Sequence, residues 1–464
     1  MNQLKLLDPD YPSAIEAAHE AQRPSSFRTI HYLGSKLRLL DFIEGVIDSV
    51  DSSYCGVCDL FSGSGSVTQR LSSHRRVISV DIQEYSRVIC SALLSQPPDR
   101  GKIDDYLASV IESVAKAEKA NYSFWGDLID LEQSLLSSDH RSDLDSLCSF
   151  LEQCSIYNRL SNSSSHCDSR LGAATERVLL SITSNERRSW LISQYFGGIF
   201  FSFKQAVVLD TILSRIQLAP KDLKPLLLAS LISTASDLVN TVGKQFAQPI
   251  SPRSSSGAPK SGLLSQVRRD RIKDATTSYL SWVAKYMNVM PCRKPHMSLK
   301  MDYYEALGTL PDDVKIVYAD PPYTRDHYSR FYHVLETIAL NDYPVVTRSN
   351  IGRGTRLSKG MYRQDRHQSP FCIKSQAPRE FERMFQKVAK TDRALVLSYS
   401  PFNRAKGAHP RVMTVESLIS MAKNHFSHVE ALSAGSFSHS KLNHTRLHLS
   451  SETDAELVIV MNNK

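Results

Sequence analysis

The chain has 464 residues, 41% of them hydrophobic, 22% charged and 8% aromatic, with a formal net charge of +8. That length can bury a large core and suggests two or three domains, and the composition excludes wholesale disorder and collagen-like or mucin-like repeats. No apolar run approaches the roughly 18 residues of a membrane span. The opening MNQLKLLDPDYPSAIEAAHE carries acids where a signal peptide would be basic and apolar, so a cytoplasmic protein without membrane contact is expected.

In chain order, YCGVCDLF, SGSGS, VTQRLSS and RRVISVDI read as strand, turn, helix and strand, the beginning of a doubly wound α/β unit with its ligand crevice at the strand ends. Cys55 and Cys58 form a lone C-x-x-C within an apolar run; with no second pair at matching spacing, they read as ordinary thiols, and no metal is expected. Gly63 and Gly65, just after Asp59 and Phe61, let the chain turn sharply and let a ligand approach the backbone. The second strand ends in Asp81, an acid able to accept both hydroxyls of a ribose. Together these fit a nucleoside cofactor, NAD or AdoMet (S-adenosyl-L-methionine), and the lack of a full G-x-G-x-x-G lowers the case for a dinucleotide.

From about residue 100 to 285 the pattern changes to long amphipathic helices such as KQAVVLDTILSRIQ and LKPLLLASLISTASDLVN, separated by polar stretches, with no internal repeat. Strands return as VKIVYAD, ALVLSYS and AELVIVMN. The reading is one α/β domain, in two parts spanning 1–99 and 286–464, interrupted by a mostly helical insertion at 100–285.

The first of these returning strands, VKIVYAD, closes in Asp320-Pro321-Pro322-Tyr323. An aminopurine's exocyclic amine is a poor nucleophile because its lone pair is delocalised into the ring. A carboxylate (Asp320) and a main-chain carbonyl (Pro321), both accepting from that NH2, favour a pyramidal nitrogen with a localised lone pair. Pro322 stiffens the turn, and Tyr323 can stack on the base. Asp rather than Ser at the first position leans to adenine.

These residues resemble the Dam-like, alpha-group family of DNA adenine-N6 methyltransferases. Its aromatic-x-G-x-K element reads here as Tyr32-Leu33-Gly34-Ser35-Lys36, its Gly loop as Asp59 to Gly65, its ribose acid as Asp81 and its DPPY as Asp320 to Tyr323. Asp302 matches the acid that contacts the cofactor's adenine, and Ser398-Tyr399 and the closing ELVIV strand also resemble the family. The resemblance implies a Rossmann-like AdoMet-dependent methyltransferase core and places target recognition in the helical insertion. It implies AdoMet held by Tyr32, Lys36, Asp59, Phe61, Gly63, Gly65, Asp81, Asp302 and Asp320, with Lys36 pairing the methionine carboxylate. Asp320, Pro321, Pro322 and Tyr323 would carry the chemistry on a flipped-out adenine in double-stranded DNA. A restriction-modification role, with a cognate endonuclease or defence-complex subunits as partners, follows by analogy. RNA or cytosine-N4 methylation, or a DNA-binding defence subunit with little turnover, are the competing readings.

Flipping a base costs a few kcal/mol, which gives two basic segments a role. Lys244 to Lys273 and Arg348 to Lys374 each carry seven basic residues against one acid, a net +6 apiece, leaving the rest of the chain at −4 of the total +8. Phosphate contacts are expected from Lys244, Arg268, Arg269, Arg325, Arg353, Arg356, Lys359 and Arg363; Gln245 or Gln248 would read an adenine edge, and Phe246 would wedge or stack. His333 is expected to be ordinary packing, and the spacing of the late histidines fits no metal site.

Overall fold

The computed structural model describes residues 26–120, 122–138, 140–161, 169–182, 190–324, 328–351, 354–400, 411–434 and 456–463. Seven strands form the central sheet: β1 (Gly56–Asp59), β2 (Val77–Asp81), β3 (Met297–Lys300), β4 (Val314–Ala319), β7 (Ala394–Tyr399), β8 (His428–Ser433) and β9 (Leu457–Asn462). Their order is β3-β2-β1-β4-β7-β9-β8. The first five run parallel, β9 is antiparallel to β7, and β8 is antiparallel to β9. The remaining two strands, β5 (Arg348–Ile351) and β6 (Gly354–Leu357), make a separate antiparallel hairpin inside the second basic segment. Neither that hairpin nor β8 is legible from the sequence pattern.

Apart from its edge strands β3 and β8 the sheet is buried on both faces, as a mainly parallel sheet must be. Side chains alternate between two cores with period two: Val57, Val77, Ile316, Val396, Val458 and Val460 on one side, and Cys58, Ile78, Val317, Leu397, Ile459 and Met461 on the other. This α/β architecture is Rossmann-like. The chain moves outward from β1 to β3, then returns to the middle at β4, so the order reverses between β1 and β4. Ligands of open α/β sheets bind at such a reversal, outside the carboxyl ends of the strands. Asp59, Asp81, Asp302 and Asp320 stand at or just after the carboxyl ends of β1, β2, β3 and β4, which are parallel neighbours, so four acids separated widely in sequence gather at one edge.

Helices fill the described chain from Arg100–Lys119 to Ala275–Met287. Local chemistry sets several of their ends: Asp99 caps Arg100–Lys119, Ser202 and Gln205 form a reciprocal capping box at Phe203–Leu218, and Asp274 caps Ala275–Met287. The Lys224–Leu238 helix is apolar nearly all round and packs against both Ala275–Met287 and the Glu84–Leu94 helix that follows β2. Its core is continuous with Tyr85, Val88 and Ile89, and with Tyr332 and Leu335 of the Tyr328–Leu340 helix after β4. The helical region therefore shares a core with the helices flanking the sheet. Among the described residues, no helix is long and apolar enough to cross a membrane.

Candidate active site

A cleft of about 1070 Å³, counted with its open mouth, lies at the order reversal and is lined by Tyr32, Lys36, Phe61, Asp81, Asp302 and the whole of Asp320 to Tyr323. Sequence elements as far apart as Tyr32 and Cys372 thus share one cavity.

The glycine loop is shaped by contacts a side chain would break. Gly63 has φ +51°, and a Cβ there would stand 2.6 Å from the Tyr32 hydroxyl; Gly65 has φ +74°, and a Cβ would meet Leu93 at 2.7 Å. Gly63 donates its N–H to Asp81 Oδ2 at 2.9 Å, and Gln83 donates to Oδ1 at 2.8 Å. Both oxygens of Asp81 are thereby oriented while their remaining lone pairs stay available, and burial raises its pKa. Glu336, on the helix after β4, accepts the N–H groups of Glu84 and Tyr85 at 3.0 Å each, fixing the helix start beside Asp81. Asp302 caps the Tyr303–Thr309 helix through Tyr304 N–H, at 2.9 Å. Phe61 packs edge-on to Phe371 and tilted on Tyr303, making an apolar wall opposite these acids.

Three residues expected at the cofactor do not line the cleft: Asp59, Gly63 and Gly65. Asp59 is 1% exposed and accepts from Thr68 Oγ1 at 2.6 Å, and burial pushes its carboxyl up to about 7. It ties β1 to the following helix beneath the loop, a supporting place rather than a contact surface.

The DPPY end of the cleft holds a charge cluster of which the sequence reading named Lys36 and Asp320 but missed Glu456. The Lys36 ammonium is 2.8 Å from Glu456 Oε1 and 3.1 Å from Asp320 Oδ1, with Lys36 and Glu456 both buried. Glu456 also accepts from Ser398 Oγ at 2.8 Å and lies 3.5 Å from the Tyr323 hydroxyl. Two carboxylates hold Lys36 protonated, its pKa raised well above the ordinary value although burial opposes this. Burial pushes the Asp320 carboxyl up to about 6; Lys36 pulls it down, and Glu456 pushes it up. The Lys36 ammonium, expected to pair with a methionine carboxylate, is shared in this structure by two acids of the chain. Glu456 opens the closing strand ELVIV, but nothing in that pattern signals that its carboxylate turns inward. The Tyr323 ring is 4.7 Å from Tyr399, with Lys36 and Arg411 over its face at 5.6 and 5.0 Å. The Pro322 carbonyl accepts from Cys372 Sγ at 3.5 Å, whereas among the described residues none donates to the Pro321 carbonyl. Tyr32 stacks on Tyr332 at 4.9 Å, and Tyr332 accepts from the Leu33 N–H at 2.7 Å, joining the Y-x-G-x-K element to the helix after DPPY.

The basic segments are less free than their net charge implies. Lys244 bonds Asp270 at 2.5 Å and the Val239 carbonyl at 3.0 Å. Arg268 donates to the carbonyls of Leu136 and Ser138, and Arg271 is buried against Glu132 at 2.5 Å. Arg363 is 3% exposed and doubly paired with Asp342 and with Asp365. Phe246 is 1% exposed and packs on Phe200 and Phe201, so it cannot wedge into a duplex from this position. Arg363 and Phe246 are thus buried structural residues in this structure, and the half-buried Lys244 and Arg268 are engaged by partners within the chain that a local charge count does not see. Gln245 is half-buried, while Arg269, Arg356 and Lys359 remain exposed. Arg325 and Arg353 lie outside the described residues. His333 is buried and held neutral, burial pushing it down to about 3. Cys58 is fully buried, and burial pushes the Cys55 thiol up to about 11.

Residues 32–163 and 297–392 match the family of D12 class N6 adenine-specific DNA methyltransferases. The chain belongs to that family. Both matched blocks carry the cleft, the first from Tyr32 through Asp81 and the second from β3 through Asp320 and the second basic segment. The chain is also 25% identical over 377 residues to the modification methylase LlaI of Lactococcus lactis subsp. lactis, an alignment covering 80% of this chain and 46% of that relative. The chain thus spans less than half the length of the relative it matches. Members of the D12 class use AdoMet as methyl donor. The cleft fits such a group: an oriented acid for a ribose, and an apolar wall with a second acid for an adenine.

Proposed function

We propose that this D12 class chain is a site-specific DNA methyltransferase that methylates N6 of an adenine flipped out of duplex DNA. The observation that carries the reading is the buried Lys36–Asp320–Glu456 cluster, two of whose members line the cleft, with Tyr323 beside it. Asp81 would hold the ribose, Asp302 the adenine of AdoMet, and Phe61 its ring face. AdoMet, when bound, supplies a methyl group made electrophilic by the adjacent sulfonium, so the protein's task is positioning.

Asp320 and the Pro321 carbonyl accept the two N–H bonds of the target amine and free its lone pair for in-line attack. The amine loses a proton after transfer, because the methylated ammonium is strongly acidic, and no dedicated general base is needed. Lys36 acts as a positioning residue: its ammonium fixes the Asp320 carboxylate, and Glu456 fixes Lys36. A third carboxylate on the same ammonium would set three anions around one cation, which is why we assign Lys36 to Asp320. Tyr323 and its neighbour Tyr328 supply aromatic surface for the base. Exposed Arg356, Lys359 and Arg269 would hold phosphates.

By analogy with the LlaI methylase, the setting is a restriction-modification or related DNA-marking system, with a cognate nuclease as the implied partner. Transfer of labelled methyl from AdoMet to duplex DNA, lost in Asp320→Ala, tests the reaction.

A further inference from the structure

The two basic segments converge on one aromatic ring. Tyr362, in the second segment, donates its hydroxyl hydrogen to the Ala247 carbonyl of the first. Arg330, on the helix after DPPY, and Arg366 each lie over the Tyr362 ring, 5.1 and 4.9 Å from its centroid. Their guanidiniums are therefore at most 10.0 Å apart. Unlike Arg363 beside them, neither has a carboxylate partner among the described residues. Arg330 Nε and Arg366 Nη1 are buried without a hydrogen-bond acceptor. Burial and Arg330 both act to lower the Arg366 pKa, as expected when two cations share a site without a counter-ion.

Two half-buried like charges with unmet N–H donors are unfavourable unless something anionic completes them. The planar guanidinium is suited to phosphate oxygens, which it can engage through two parallel N–H bonds. Placement indicates which phosphate. Tyr328, Ser329 and Tyr332 face the cleft from the same helix that carries Arg330, so the arginine pair is set about one helix diameter, roughly 10 Å, from the cleft. A nucleotide turned into the cleft stays covalently joined to its flanking phosphates. We propose that Arg330 and Arg366, stacked on Tyr362, form a clamp for a backbone phosphodiester of the strand whose base enters the cleft. This rests on the DNA reading above and adds a binding site to it.

The test is equilibrium binding of the full chain to a mixed-sequence duplex of about 30 base pairs across a series of salt concentrations. Each neutralised phosphate contributes about 0.9 to the slope of log K against log salt. The double variant Arg330→Gln/Arg366→Gln should therefore show a slope shallower by about 0.9, with weaker binding at every salt. Arg330→Lys/Arg366→Lys, which keeps the charges, should retain most of the slope. A wild-type slope and affinity in the Gln variant overturns the clamp. Should that variant not fold, inorganic phosphate decides: at fixed ionic strength it should raise the melting temperature of the wild type above its value in chloride, and no rise overturns the clamp. Methyl transfer by the wild type is read separately. A slope change without any methyl transfer would leave the clamp standing while the enzymatic reading falls, and transfer with an unchanged slope would do the reverse.

Discussion

The Lys36 ammonium lies 3.1 Å from Oδ1 of Asp320 and 2.8 Å from Oε1 of Glu456, so one buried cation links the first residue of the DPPY turn to the last strand of the sheet. Its charge is outnumbered by the two carboxylates, and burial leaves Asp320 at about 6. Acceptance of the amine hydrogens needs the ionised form, which is lost as pH falls through that value.

Methyl transfer in single turnovers should therefore show an acid limb near pH 6. Lys36→Met removes the charge that pulls the Asp320 pKa down, so the limb should move to higher pH. Glu456→Gln removes a charge that pushes it up, so the limb should move to lower pH. A limb that stays fixed in both variants would separate this cluster from the chemistry.

At the cofactor end, Asp81→Ala removes the acceptor for Gly63 and Gln83 along with the proposed ribose contacts. Two charge-assisted hydrogen bonds at about 1.5–3 kcal/mol each give a weakening of AdoMet binding of at least 10²-fold. Titration calorimetry with AdoMet measures it, and a change under threefold would remove Asp81 from the cofactor site.

Arg271 and Arg356 both belong to segments rich in positive charge, but they should behave oppositely. Arg271→Met leaves Glu132 buried and unpaired and should cost about 3–5 kcal/mol in urea unfolding. Arg356→Gln is a surface change, expected within about 0.5 kcal/mol of wild-type stability, with a DNA-binding salt slope shallower by about 0.9. Loss of DNA binding in a fully stable Arg271→Met protein would contradict the structural role.

Strands β1, β2, β4, β7 and β9 were legible as apolar runs, whereas the short edge strands β3 and β8 were not, and the glycine loop was legible because two glycines a residue apart mark a strand-to-helix turn. Asp81 and Asp320 were readable because strand ends are local signals, while Asp302 came only from the family resemblance, since the short strand β3 before it is not an apolar run. Glu456 was not, since its importance depends on β9 inserting antiparallel beside β7, which brings it to Lys36 from the far end of the chain. The basic segments misled because charge was counted along the chain, while Asp342, Asp145 and Glu132 neutralise Arg363, Arg253 and Arg271 across space. Phe246 misled for a related reason: a lone aromatic in a polar loop gave no sign of the aromatic cluster it enters.

The most direct test is modification-sensitive sequencing of DNA from cells expressing this chain, beside cells expressing Asp320→Ala. The account predicts N6-methyladenine at one recurring motif with the wild type and none with the variant. The same mark persisting with Asp320→Ala, or no new adenine mark with the wild type, would contradict it.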